Sequence, residues 1–146
     1  MAENAQTLLL NNVLVQLSDS TAHSPAGTTS TTLVMAGYGQ TFTPQKTGRV
    51  LIILLANVNN NTAGDGVQAV LSYGTGAAPA ANGALAGTQV GGTAKETSAA
   101  ASASNEVALA VVLTGLTVGT TYWLDVAYSA VTRGTATISI VYALVL

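Results

Sequence analysis

This sequence predicts an all-β fold, a sandwich or a barrel, from three observations. Apolar and polar residues alternate with a period of two through most of the second half, which sends successive side chains to opposite faces of a strand. Turn signals separate the runs: Thr47-Gly48, Asn59-Asn60-Asn61, Gly64-Asp65-Gly66, Gly115 and Gly119. No stretch has the 3.6-residue period of an amphipathic helix. A length of 146 residues is that of one domain.

Taken in order, Leu8-Leu9-Leu10 and Val13 to Leu17 (with Val15 between) flank Asn11-Asn12 as possible strands outside the alternating core. Residues 1–17 are therefore set apart as an apolar arm or first strand, and 18–146 as a single sandwich domain. Ser18 to Thr32 is low in complexity. Leu33 to Met35 and Gln40 to Thr43 are short strands, the second stopped by Pro44. Gly48 to Val58 is apolar on both faces and predicts a central strand covered on each side. Val67, Ala69, Leu71 and Tyr73 form an inward set. Gly74 to Asn105 is mostly Gly, Ala, Ser and Thr; so long a structureless loop is uncommon, and Ala86 to Val90 is its candidate strand.

Three strands close the chain. Glu106 to Leu113 sorts into Val107, Leu109, Val111 and Leu113 against Ala108, Ala110 and Val112. In Thr120 to Ser129, Tyr122, Leu124, Val126 and Tyr128 make the core face, with Trp123, Asp125 and Ala127 opposite. At the C-terminus, Ile138, Ile140, Tyr142, Leu144 and Leu146 share one side.

Composition narrows function. Only 7% of the residues are charged, against roughly 25% in an ordinary soluble domain, and the net charge is −2. Four basic residues cannot form the stripe that phosphate neutralisation needs, so no nucleic-acid partner is expected. With no cysteine there is no disulfide, thiolate nucleophile or cysteine metal site. The first residues lack the basic region of a signal peptide. The longest apolar run, Val50 to Ala56, falls short of the roughly 20 residues that cross a bilayer, so no membrane segment is expected.

No constellation supports catalysis or a cofactor. The single histidine, His23, stands among Asp19, Ser20 and Ser24 in what reads as a solvated loop, where neighbours in sequence do not supply triad geometry. The six acids are scattered, no two closer than ten residues. Asp65 suits a turn better than a calcium ion, which wants six to eight oxygens. Gly74-Thr75-Gly76 lacks the third glycine of a dinucleotide loop. The chain is expected to be no enzyme and to hold no cofactor or metal.

Two features point to structure and contact. Leu116-Thr117-Val118-Gly119-Thr120-Thr121-Tyr122 has the spacing of a tyrosine corner, built from Leu116, Gly119 and Tyr122, in which the phenol bonds back to backbone near the turn. Trp123, opposite the core face beside Asp125, either caps the sandwich edge or anchors a subunit contact, where tryptophan is enriched.

Four segments carry a resemblance: Thr41-Phe42-Thr43-Pro44-Gln45-Lys46-Thr47-Gly48-Arg49-Val50-Leu51-Ile52, Asn57 to Gly66, Tyr73-Gly74-Thr75-Gly76 with Pro79, Asn82-Gly83 and Gly87-Thr88, and Gly119-Thr120-Thr121-Tyr122-Trp123-Leu124-Asp125. From about Thr31 onward the chain resembles small β-rich structural proteins of tailed bacteriophages. The resemblance implies an antiparallel jelly-roll or Greek-key sandwich of about eight strands, in a capsid decoration (cement) protein or in part of a tail fibre. A single domain without fibre repeats, and the apolar start, favour the capsid. The expected role is to bind and stabilise the outside of the phage head after synthesis in the host cytoplasm. The expected partners are the chain itself, as a homotrimer or else a dimer, and the phage major capsid protein. Leu8, Leu9, Leu10, Val13, Val15, Leu17, Trp123 and Asp125 would form the contacts. The alternative is a tail or fibre component that binds a host glycan receptor, although the long loops hold few aromatics.

Overall fold

The structure, a computed structural model, describes residues 17–19 and 23–146. Nine strands follow one another: β1 (Leu17–Asp19), β2 (Val34–Met35), β3 (Gln40–Phe42), β4 (Val50–Asn60), β5 (Gly66–Gly74), β6 (Thr88–Thr97), β7 (Asn105–Leu113), β8 (Tyr122–Ala130) and β9 (Ala136–Val145). They form two antiparallel sheets. One has the order β1-β9-β4-β7; the other runs β2-β8-β5-β6, with β3 also on β8. Strands β2 and β3 pair with successive parts of β8 (Val34↔Tyr128, Met35↔Ala127; Gln40↔Leu124, Phe42↔Tyr122), so they are one strand interrupted at residues 36–39. Gly37 and Gly39, at φ +73° and +59°, make that interruption. Counted so, eight strands lie in the two sheet orders of a jelly roll.

The sheets meet through the alternating residues. Ile52, Leu54 and Val58 of β4, Ile138 and Ile140 of β9, Leu71 of β5, and Leu124, Val126 and Tyr128 of β8 are all buried in one cluster. Each such side chain contributes about 1.5–3 kcal/mol over leaving it in water. The inward sets expected on β5, β7 and β8 face this core, with Tyr73, Val111 and Tyr122 only partly buried at its margin.

Four expectations are corrected. On β9 the inward side is Ile138, Ile140, Ala143 and Val145, and Tyr142 and Leu144 point outward. The cause is a bulge: Leu55 pairs with Tyr142 and Ala56 with Ile140, so Val141 is an extra residue and every later side chain changes face. In 74–105, the weak strand at Ala86–Val90 is the ten-residue β6, paired with β5. Its Thr, Gly and Ala residues are mostly exposed and carry no hydrophobic period to read. In Ser18 to Thr32, His23 bridges Ile140 and Thr28 bridges Ala136, so together with β1 these residues pair along the edge of β9 and protect it. His23 is half-buried, not solvated: its Nε2 lies 3.0 Å from Ala36 O and its ring 5.7 Å from that of Tyr38. Finally, β4 is buried on its inner face only; the outer face keeps Leu55 at 41% exposure.

Candidate interaction surface

The outer face of the β8 sheet is covered by the chain itself. Residues 75–87, between β5 and β6, lie across it as a strap. Trp123 Nε1 donates to Thr75 O (3.2 Å), Met35 N to Gly83 O (3.0 Å), Asn82 N to Met35 O (2.8 Å) and Ser72 Oγ to Ala86 O (2.5 Å). Beneath it Met35, Val70, Trp123 and Ala127 form a second buried cluster, with Leu33 and Ala86 at its rim. Backbone at Gly74 and Gly87 flanks the indole so closely that a Cβ at either position would strike the ring. Trp123 is 4% exposed and Asp125 0%. The expectation that these two form a subunit contact is therefore corrected: the strap occupies the place a neighbour would have taken.

Asp125 spans the interruption between β2 and β3. Its carboxylate accepts the N–H of Gly37 (3.1 Å), Tyr38 (3.0 Å) and Val126 (2.7 Å). Burial raises its pKa above the usual carboxylate range, opposed by those three hydrogen bonds and by nearby His23. Its task is to satisfy backbone donors that the broken strand leaves without a ladder partner. The sequence places an acid inside a strand here; the gap it fills exists only once β2 and β3 meet β8.

Asp65 does similar work at the opposite end of β8. It accepts from Gly66 N (2.7 Å), Thr132 N (3.1 Å) and Arg133 N (2.6 Å), tying the β4–β5 turn to the β8–β9 turn. Burial works against its charge, but these hydrogen bonds and one from the Thr132 side chain prevail and lower its pKa. Asn60, buried beside it, donates from Nδ2 to Gly66 O and Arg133 O. Among the described residues no three His, Cys, Asp or Glu side chains gather to hold a metal ion.

At the remaining sequence motif, Thr117 N donates to the Tyr122 hydroxyl at 3.0 Å across the turn at Gly119 (φ +80°), and Leu116 is buried below it. The bond is that of a tyrosine corner. Of the N-terminal contact residues, Leu17 opens β1 opposite Val145. Leu8, Leu9, Leu10, Val13 and Val15 lie outside the described residues.

Contact chemistry concentrates instead on the outer face of the β4 sheet, which sequence reasoning missed. Cross-strand neighbours there form apolar rows: Val112–Leu51, then Ala110–Ile53–Leu144, then Ala108–Leu55–Tyr142. Of the five large apolar side chains that stand exposed among the described residues, three are here: Leu55, Val112 (53%) and Val141 (37%). A groove of about 310 Å³ opens beside the bulge, lined by Leu55, Asn57, Glu106, Ala108 and Val141 among others. A second groove, about 250 Å³ at the β6–β7 seam, is walled mainly by Gly, Ala, Val and Leu and offers no titratable group.

No family model matches the chain, and no curated protein is significantly similar to it.

Proposed function

We propose that this chain is a virion structural protein of a tailed bacteriophage, a capsid decoration (cement) protein that binds the outside of the assembled head and stabilises it. The observation that supports the reading best is the pairing of a jelly roll with an outer sheet face that is aliphatic over the part around Leu51, Ile53, Leu55, Val112 and Leu144 and nearly free of charge. Asp65, Asp125 and His23 all engage backbone groups, so these described titratable side chains serve the fold. The resemblance of the turn and strand segments from Thr31 onward supplies the virion context.

Cement works by linkage. A protein that binds the assembled shell and not its free subunits stabilises the shell by an amount that grows with the logarithm of free protein over its dissociation constant. Many weak, identical contacts suffice, and no reaction is needed. Self-association, as a homotrimer or else a dimer, and contact with the major capsid protein through the apolar arm, residues 1–17, belong to the same proposal. Against a glycan-binding fibre stands the placement of the aromatic rings. Trp123, Phe42, Tyr38 and Tyr128 are buried, Tyr73 and Tyr122 are half-buried at the core margin, and Tyr142 stands half-buried alone among aliphatic side chains, so no patch of aromatic rings is offered to a sugar.

The test is gold-labelled antibody against the protein on purified virions of the phage that encodes it. Label over the head is the expected result. Label on the tail would replace cement with the fibre reading, and unlabelled virions would refute both.

A further inference from the structure

We infer that the outer face of the β4 sheet is the surface through which copies of this chain associate, each packing this face against the same face of another copy. Four observations carry the inference.

The face is apolar where it should be wet. Outward positions of a sheet that faces water alternate polar with the apolar inner ones, yet β4 presents Leu51, Ile53 and Leu55 outward and β7 presents Ala108, Ala110 and Val112. Such a concentration of exposed aliphatic side chains marks an interaction site.

The chain covers the other outer face with its own strap, so covering this sandwich is compatible with its topology. Among the described residues no segment crosses the β4 face; Leu17–Asp19, His23 and Thr28 pair along the edge of β9.

The charge pattern selects the occupant. Glu106, at one end of β7, is the only charged residue on the outward side of β4, β7 and β9. A face without charge has nothing for an oppositely charged partner to complement and nothing to repel its own copy. The same face on a second chain is a surface of matching character.

The size is sufficient. The three long strands β4, β7 and β9 span about 14 Å and run about 33 Å, and the three-residue β1 adds little, so the face is roughly 500 Å² on each copy and about 1,000 Å² for the pair, the lower bound of a specific interface. Sheets pack face to face about 10 Å apart by interdigitating side chains, and the groove beside Leu55 and Val141 gives the opposing side chains a hollow to enter.

The inference deepens the reading of a self-associating shell protein, but the two fail separately, because this one is measured on the free protein and that one on virions. The full chain is run through size exclusion with light scattering at tens of micromolar. A mass of two chains is expected, because a face that packs on its own copy closes as a pair; a single-chain mass, including the case in which residues 1–16 cover the face, or a three-chain mass overturns the inference. Leu55→Lys and Val112→Lys place charges at exposed positions where folding tolerates them, and each is expected to raise the dissociation constant about a hundredfold or more by burying an unpaired charge. Leu85→Lys and Val118→Lys make the same change at exposed aliphatic positions elsewhere and should leave the mass unaltered. An oligomer that survives both face substitutions, or that the two distant ones break equally, overturns it.

Discussion

The two outer faces of this sandwich start from similar material and are completed differently. On the β8 sheet, Met35, Val70, Trp123 and Ala127 vanish under residues 75–87 of the same chain. On the β4 sheet, Leu55, Val112 and Val141 stay in solvent. The difference lies in the connections. The β5–β6 link is long and rich in Gly and Ala, and residues such as Asn82 (φ 58°), Gly76 and Gly87 let it fold back flat on the sheet. No described connection reaches the β4 face. Apolar content alone thus does not tell whether a face is closed by its own chain or left for another.

The sharpest break of this comparison is Trp123→Ala. It should cost about 3–5 kcal/mol, because a large side chain leaves a cavity beneath a strap that cannot collapse into it. Urea unfolding measures it, and a loss under about 1 kcal/mol would mean that the strap does not depend on the indole.

Gly87→Ala comes next. It forces an alanine to φ +75° and drives its Cβ into the Trp123 ring. We expect a loss of roughly 2–4 kcal/mol from strain and overpacking together, read in the same unfolding experiment.

The covered face also brings a pH dependence. Asp125 has a folded pKa above its unfolded one, so the folded state holds the proton more tightly. Its contribution to stability is therefore complete below the ordinary carboxylate range and declines as pH rises through the raised value. Asp65 runs the other way: its contribution is present above the ordinary carboxylate range and is lost as pH falls through its lowered value. Asp125→Asn should remove the decline on rising pH and keep the acid-side loss. Parallel profiles for variant and wild type would show that Asp125 does not titrate as its burial requires.

Tyr122→Phe removes the acceptor of Thr117 N and should cost about 1 kcal/mol. Smallest of all, Leu55→Lys or Val112→Lys, measured at dilutions where the chain is single, should stay within about 0.5 kcal/mol of wild type. A large loss in those two would erase the contrast between the faces.

Alternation of 2.0 residues was enough to place the inward sides of β5, β7 and β8, since a half-buried strand writes its burial directly into its pattern. The tyrosine corner was legible for the same reason: its geometry is local, held within seven residues. The bulge on β9 was not, because the extra residue Val141 exists only relative to β4, and the apolar character of Tyr142, Leu144 and Leu146 matched either side. Nor was β6, whose small residues pair with β5 without burying a stripe of their own.

The candidate site divides in the same way. The sequence by itself determined that the chain would be all-β, a sandwich or a barrel, apolar and nearly uncharged, with a strand at Gly48 to Val58 apolar on both faces. It also marked Trp123 and Asp125 as residues set apart from the core face. Only the tertiary structure decided that both lie under the strap and that the uncovered apolar surface belongs to β4, β7 and β9. Periodicity reports which side of a strand faces which way; what lies over that side is set by long-range packing of segments dozens of residues apart, which no local pattern encodes.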